Sequence, residues 1–484
     1  MIMKNFLSSK KSFFREFFLT KLVIIFIFFL SLLLSYKILE KNDIYTNYQD
    51  ITYHKMIKAD PHRYLSHGAE IKKEVEEGNN FFLSGRENYT KYLPPRLAAL
   101  YYILFDKDLF NNFEEKKINI GIHEEYLALQ CLFYFLSVFF LFNSIKRKFN
   151  NKIVFILVSF LCIEPTLTQY NFSFWSESIF FGLQIIILAL LLKKNQNLKN
   201  LILIGFFISI LSLQRQIAFF YIVPITLYYL IYFRSYFKII SIIFGYTFIQ
   251  LSLGYINFLK FDNFHVMTAD SKIEIHRSFV APVVSKIKGI TTKEFNYDEG
   301  LIVKKWIDEN DIKYSNEEKF LNKDFNFIDW MDYRREIVLF EDKIKFDNYI
   351  KSRSYNYFIN YPEQFLKHYL DRSMHVIILN PFHIYNDMKF ISGEIMYESN
   401  SHKKYILPRT AYTFFIYIIA LMGLIYLIKK KEKKILLILI FSIVYFFGLV
   451  GWSGNTRYFV PNMIYISVLF SFGLNSFLEF ISKK

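Results

Sequence analysis

Cysteine is nearly absent from this sequence, and so are the short motifs of common soluble enzymes. Its two cysteines, Cys131 and Cys162, both lie in apolar runs, which argues against a disulfide framework and a cysteine-based metal site. The chain carries no glycine-rich phosphate loop, no Gly-x-Ser-x-Gly elbow and no basic and aromatic nucleic-acid pattern. No histidine or carboxylate spacing is typical of a strong metal site. Because the basic and aromatic pattern is absent, nucleic acid is not expected as a partner.

Long apolar runs are what the sequence does contain. Hydrophobic residues make up 53% of its 484 residues, and they gather into runs of Ile, Leu and Phe that are too long and uncharged for soluble core helices. Several lysines precede the first run, and no small-residue cleavage site follows it, so we interpret it as a retained helix. The sequence predicts about ten transmembrane helices, near residues 22–39, 126–142, 153–170, 174–192, 200–213, 216–232, 237–258, 405–428, 434–450 and 458–476.

The net charge of +16 is concentrated in short basic tracts between these runs. Lys and Arg close to helix ends stay on the cytoplasmic side. If each run crosses once and the N-terminus is inside, every tract falls inside, which also requires a reversal at Gln214-Arg215-Gln216. We therefore expect both termini to be cytoplasmic in a multi-pass protein of the inner membrane; the tracts are 146–148, 193–194, Arg234 with Lys238, 429–434 and 483–484.

Two hydrophilic regions remain, and both fall outside in this topology. The first, residues 40–125, is a loop within an N-terminal membrane module of residues 1–258. The second, residues 259–404, is long enough for a folded α or α+β region, and residues 405–484 then form the C-terminal helices. The predicted fold class is thus an all-α polytopic membrane protein with an external first loop and a larger external region.

Ionisable residues mark the predicted outer helix tips. Glu164 and Glu177 bracket one turn, Arg215 lies at the next, and Arg457 lies at the last. A charge at the membrane boundary is costly unless it is paired or faces a wet cavity, although an interfacial arginine can also simply extend to the headgroups. Two arginines on one face suit a phosphate or diphosphate, and a nearby carboxylate suits proton removal from an attacking hydroxyl.

The order of these elements resembles the polytopic GT-C glycosyltransferases, in particular the polyprenyl-phosphate-sugar enzymes of the protein mannosyltransferase and aminoarabinose transferase type, glycosyltransferase family 39. Asp50 and Tyr53-His54 stand where that group has an Asp and a Tyr after its first helix, with one residue less between them, so Asp43 is a rival. The other matching elements are Pro94-Pro95-Arg96, Glu164-Pro165, Ser176-Glu177-Ser178, Leu213-Gln214-Arg215 without the usual proline, and Arg457-Tyr458-Phe459-Val460-Pro461.

The resemblance implies an inverting transfer of a sugar from a polyprenyl-phosphate carrier to an unknown acceptor, a glycan, lipid or protein, on the outer side of the bilayer. It places Asp50, or else Asp43, as catalytic base, and Arg215, Arg457 and Arg96 at the donor phosphate. Glu177, Tyr53, His54 and Tyr458 are the supporting residues. The sequence establishes no cofactor, and a divalent metal remains possible.

Two other classes of function fit part of the same pattern. A transporter or flippase of lipid-linked sugars would also have many helices and intramembrane charge, but transporters usually show repeats or broken helices near the midplane. Here the charges cluster at one boundary, which favours an enzyme. A surface-polysaccharide polymerase or ligase shares the outward site and differs mainly in its acceptor.

Overall fold

The structure is a computed structural model, and every regular element in its described part is helical. It describes residues 21–30, 32–33, 60–85, 92–107, 124–172, 176–193, 196–262, 264–266, 275–313, 334, 337–379, 400–450 and 458–482. Within these ranges there is no β-strand, so the second hydrophilic region, residues 259–404, is α rather than α+β where it is described. The protein is an all-α membrane protein, as the apolar runs predict.

Seventeen helices are numbered here in chain order among the described residues. In the N-terminal half they are α1 Lys21–Leu30, α2 Asp60–Glu76, α3 Leu93–Leu104, α4 Glu124–Ile145, α5 Asn151–Ile163, α6 Pro165–Thr168, α7 Glu177–Leu192, α8 Leu198–Gln214, α9 Ile222–Phe233 and α10 Tyr236–Phe261. In the C-terminal half they are α11 Ala281–Lys288, α12 Thr292–Glu309, α13 Phe340–Asn360, α14 Pro362–Leu379, α15 Asn400–Lys429, α16 Lys433–Gly448 and α17 Pro461–Ser482.

Five stretches of helix are long and apolar enough to cross a membrane by themselves. They are Glu125–Ile145, Gln216–Phe233, Tyr236–Phe261, Thr410–Lys429 and Pro461–Ser482. Four further apolar helices, α1, α5, α7 and α8, are shorter than 18 residues. Ten crossings therefore stay a prediction.

The apolar run 153–170 is not one helix, contrary to its appearance in the sequence. Helix α5 ends at Ile163, and the chain continues through Glu164, the single turn α6 and a 3-10 helix, Gln169–Phe172. Pro165 lacks a backbone N–H, so it suits the first position of a new helix and not the interior of the old one. The reversal predicted at Gln214-Arg215-Gln216 is present: Arg215 has extended backbone angles, φ −150° and ψ 125°, between α8 and the 3-10 helix Gln216–Tyr221.

Helix α10 shows which side of the bundle faces lipid. Six of its large apolar side chains recur every three or four residues and are each more than half exposed, which on a helix is a single stripe. Such a continuous apolar stripe is unfavourable in water and suited to acyl chains. The six are Phe237, Ile240, Phe244, Phe248, Leu251 and Tyr255.

Glycine pairs bring neighbouring helices into backbone contact. A Cβ atom on Gly205 of α8 would collide with the carbonyl oxygen of Ile242 on α10, and one on Gly423 of α15 would collide with that of Leu469 on α17. Gly245 and Gly473 are the matching positions on the partner helices. Close approach through small residues is a common way for membrane helices to associate.

Lysines from separate connections converge on one end of the bundle, which we call the lysine end: Lys146, Lys148, Lys193, Lys238 and Lys434. Lys148 Nζ donates to the carbonyl of Leu192 at 3.3 Å, and Lys434 Nζ donates to that of Lys193 at 3.0 Å. Lys238 and Lys434 both lie over the Phe233 ring, at 3.5 and 5.9 Å from its centroid. Four of the five tracts assigned to one membrane side by charge are therefore represented at one end of the bundle; the fifth, 483–484, lies outside the described residues.

The hydrophilic segments lie at the opposite end, which we call the carboxylate end after Glu164 and Glu177. Helices α2 and α3 are attached there: Lys260, at the end of α10, donates to the Gly85 carbonyl, and Tyr101 donates to Glu125 at 2.8 Å. Tyr369 of α14 donates to the carbonyl of Gly448 at 2.8 Å, where α16 ends. Both hydrophilic regions thus have described parts at the same end.

Candidate functional site

A buried ion pair joins two helix ends at the carboxylate end. Glu177 is the first residue of α7 and Arg215 follows the last residue of α8, and their side chains are 0% and 2% exposed. Arg215 Nη1 donates to Glu177 Oε1. Because Arg215 leaves helix α8 in an extended conformation, its side chain reaches the start of α7. Glu177, predicted as a supporting residue, therefore pairs with an arginine predicted to bind the donor phosphate.

Aromatic rings line the space around the Arg215 guanidinium. Its central carbon lies 5.7 Å from the Phe180 ring centroid and 5.2 Å from that of Tyr458. The face of an aromatic ring attracts a cation, and more strongly in a dry environment. Tyr458, predicted as a supporting residue, is thereby brought to Arg215 from the start of the last helix.

Several buried polar atoms of the segments that carry Arg215 and Tyr458 are unpaired within the described part of the chain. Arg215 Nε and Gln214 Oε1 have no hydrogen-bond partner there, although Gln214 Nε2 donates to the carbonyl of Ser176 at 2.9 Å. Four residues beyond Tyr458, Asn462 is fully buried with both amide atoms unpaired among the described residues. An unpaired buried polar atom requires an explanation, such as a water or a ligand.

The second carboxylate, Glu164, is held where α5 ends. It is 1% exposed and accepts hydrogen bonds from the Thr166 hydroxyl and, at 3.0 Å, from the backbone N–H of Leu167. Tyr412 of α15 donates to its other oxygen at 3.4 Å. Glu164 therefore connects the α5 break to α15, a contact that the Glu-Pro sequence alone did not reveal.

A hydroxyl cluster supports the turn that carries Arg215. The Tyr221 hydroxyl lies 2.7 Å from Ser442 Oγ and 2.7 Å from the Tyr465 hydroxyl, so the 3-10 helix is tied to α16 and α17. All three side chains are fully buried. Sequence reasoning missed this cluster because single hydroxyls inside apolar runs barely change their hydropathy.

Arg96, predicted to contact the donor phosphate, has its described contacts within the α2–α3 unit. Its guanidinium lies 3.7 Å from the Tyr92 ring centroid and donates to the carbonyls of Phe82, at 2.9 Å, and Ser84, at 3.3 Å. The side chain thus fastens the turn after α2 to α3. Its phosphate role stays a prediction.

Five predicted site residues lie outside the described residues: Asp43, Asp50, Tyr53, His54 and Arg457. Their assigned roles therefore stay predictions. Within the described ranges, no group of three or more His, Cys, Asp or Glu side chains is arranged to hold a metal ion.

The second hydrophilic region, residues 259–404, contains another buried polar cluster. Arg353 donates to both oxygens of Glu299, at 2.8 and 2.7 Å, and Tyr357 donates to the same carboxylate. His276 Nδ1 lies 2.8 Å from Ser354 Oγ, but its Nε2 is 3.8 Å from Glu299, too far for a hydrogen bond. Ser354 is buried and also donates to its own helix, so this Ser, His and Glu group joins α12 to α13 and lacks the open nucleophile of a hydrolase.

Acidification should destabilise the buried cluster around His276, Glu299 and Arg353. Burial lowers the pKa of His276 to about 4, whereas an unfolded histidine titrates near 6.5. Between these values the unfolded state binds a proton that the folded state does not. The free energy of unfolding should therefore fall with falling pH, by up to roughly 3 kcal/mol.

Hydrogen exchange of α12 and α13 across this pH range measures the effect. A His276→Asn variant should show a flatter profile between pH 6.5 and 4, since its side chain does not titrate. Burial acts to raise the pKa of Glu299, but the hydrogen bonds and charge of Arg353 outweigh it, so Glu299 adds a separate loss only at lower pH. An unchanged profile in the variant would assign the pH dependence to other groups.

No protein-family model and no curated protein matches this chain.

Proposed function

We propose that this protein is a membrane glycosyltransferase that moves a sugar from a polyprenyl-phosphate carrier to an acceptor at the carboxylate end of the bundle. The observation that carries the proposal is the buried pair of Glu177 and Arg215 at that end. A fixed cation beside lipid-facing helices suits a lipid phosphate, because the carrier can reach it from within the bilayer. Glu177 then orients Arg215, and the other edge of the guanidinium, with Nε, remains for the donor.

The distribution of lysines supports a site on the outer side of the membrane. Lysines favour the cytoplasmic face, so the lysine end would be inside and the carboxylate end outside the inner membrane. Both hydrophilic regions have described parts at the carboxylate end, where a glycan, lipid or protein acceptor is accessible. Cytoplasmic N- and C-termini belong to the same proposal.

The proposed reaction is a direct displacement. The acceptor oxygen attacks the anomeric carbon of the sugar, the bond from that carbon to the phosphate oxygen breaks, and the lipid phosphate leaves as an anion stabilised by Arg215 and Arg457. Asp50, or else Asp43, accepts the proton of the acceptor hydroxyl. Attack from the face opposite the leaving phosphate inverts the anomeric configuration.

Lipid binding tests the proposal directly. Mass spectrometry of the purified protein should identify a co-purifying polyprenyl-phosphate sugar. Arg215→Gln should bind that donor at least tenfold more weakly, since a charge-assisted contact contributes about 1.5–3 kcal/mol. Arg147→Gln, at an exposed arginine of the lysine end, is the matched control and should bind it normally.

Two results would count against this function. Equal donor affinity in both variants would remove Arg215 from the donor site. If neither co-purification nor titration with polyprenyl-phosphate sugars in vesicles detects binding, the transferase itself is excluded.

A further inference from the structure

Helix α14 connects the external region to the membrane bundle. Near its start, Phe365 packs against Phe279 and Phe358 in the external core, with ring centroids 5.5 and 4.6 Å away. Near its end, Val376 is buried in the core of the membrane bundle, and the carbonyl of Ile377 accepts from Tyr417 of α15 at 3.2 Å. At a rise of 1.5 Å per residue these two contacts lie about 16 Å apart along the helix. The helix therefore runs from outside the bundle into its side.

The surface of α14 is divided into three rows. One row faces the protein and includes Phe365, Ser373 and Val376, which are 5%, 1% and 1% exposed. A second row is apolar yet exposed: Leu366, Leu370 and Met374, at 60%, 51% and 53%. A third row, exposed and charged, consists of Glu363, Lys367 and Asp371.

The helical period places the apolar row beside the protein-facing row. Each residue turns the helix by about 100°, so the charged row lies on the far side of the apolar row from the protein. A helix lying in water against a protein needs two such faces, one apolar and one polar. The exposed apolar row of α14, Leu366, Leu370 and Met374, therefore has no role in water.

The exposed apolar row continues the lipid-facing surface of the bundle. Tyr369, adjacent in sequence to Leu370, donates to the Gly448 carbonyl, and Val444, one turn earlier on α16, is 63% exposed. Next to Tyr417, which contacts the end of α14, Ile418 is 58% exposed. Both of these side chains belong to helices of the membrane bundle, so the surface beside the row is one that lipid covers.

We propose that α14 is an interfacial helix whose Leu366, Leu370 and Met374 row inserts into the lipid leaflet at the carboxylate end, with Met374 deepest. One row of the helix then contacts protein, the apolar row contacts lipid and the charged row contacts water, as in helices that lie at a membrane surface. The external region is thereby fixed at a defined height above the bundle. The inference depends on the membrane fold alone and is independent of the proposed sugar transfer.

Nitroxide labels measure insertion depth. Leu366→Cys, Leu370→Cys and Met374→Cys are each labelled in the full chain in lipid vesicles, and collision with oxygen, which concentrates in the bilayer, is compared with collision with a water-soluble nickel chelate. Native Cys131 and Cys162 are buried, so the unsubstituted protein gives the labelling background. Because the three positions are exposed, their labels point away from the core.

The expected result is a ratio of oxygen to nickel collision that rises from 366 to 370 to 374. Lys305→Cys on α12, whose side chain is 79% exposed, gives the water limit, and Ile418→Cys on α15 gives the lipid limit. Water-like ratios at all three positions would overturn the proposal. Protection from both reagents would also overturn it, because the row would then be covered by another protein or a second copy of this chain.

Discussion

Replacing Glu177 by Gln should destabilise the folded protein by about 3–5 kcal/mol, the usual result of removing one partner from a buried ion pair. Arg215, 2% exposed, would then remain buried beside a neutral amide. The substitution preserves shape, and the loss therefore reports the uncompensated charge. The double variant Glu177→Gln with Arg215→Gln should recover much of it, since neither charge is then buried.

A thiol-reactive dye provides the measurement. Cys131 and Cys162 are 7% and 0% exposed, so they react when the bundle unfolds in detergent, and the temperature of that transition can be compared between variants. The matched control is Glu309→Gln on α12, whose partner Lys305 lies 3.7 Å away with both side chains largely exposed. An exposed pair contributes at most about 1 kcal/mol. If both variants unfold at the same temperature, the Glu177 pair is not a significant stabilising contact.

The helices and their break points could be predicted in part from the sequence. Apolar runs locate helices because a segment that contacts membrane lipid must be apolar. The charge parity of the lysine tracts requires a reversal at Arg215, where the structure has an extended residue. The turn between Glu164 and Glu177 was predicted, but its start was obscured, because Leu167 and Tyr170 extend the apolar run to residue 170. Averaged hydropathy does not distinguish a crossing helix from a buried turn.

The candidate site was predictable as a set of residue types but not as a set of contacts. Glu177 and Arg215 are 38 residues apart, and their pairing depends on where α7 begins and α8 ends, which a periodic pattern leaves uncertain. The buried Asn462 amide, unpaired among the described residues, carries no sequence signal at all. Arg96 illustrates the converse: its motif suggests a ligand contact, whereas its described partners are ring and backbone atoms of its own segment.

The described helices that precede and follow Asp50 in sequence are α1 and α2. Lys21 lies 5.6 Å from the Phe139 ring and Phe28 lies 4.3 Å from that of Phe135, so α1 runs antiparallel to α4, away from the lysine end. The next described helix, α2, is fixed at the carboxylate end through Lys72, which donates to the Lys107 carbonyl at 3.1 Å. Of the two described helices that flank Asp50 in sequence, α1 is thus directed to the carboxylate end and α2 is fixed there.

Asp50→Asn should lower turnover by about 10²–10⁴ while leaving donor binding intact, because the amide keeps the size of the carboxylate and cannot accept the proton. Turnover is measured in vesicles with a polyprenyl-phosphate sugar and an acceptor hydroxyl, and binding by titration of the donor alone. Asp106→Asn, at a 99% exposed carboxylate of the same hydrophilic region, is the matched control and should turn over normally. If Asp43→Asn abolishes turnover and Asp50→Asn does not, the base is Asp43. If neither carboxylate matters, proton removal by an aspartate of the first loop is wrong.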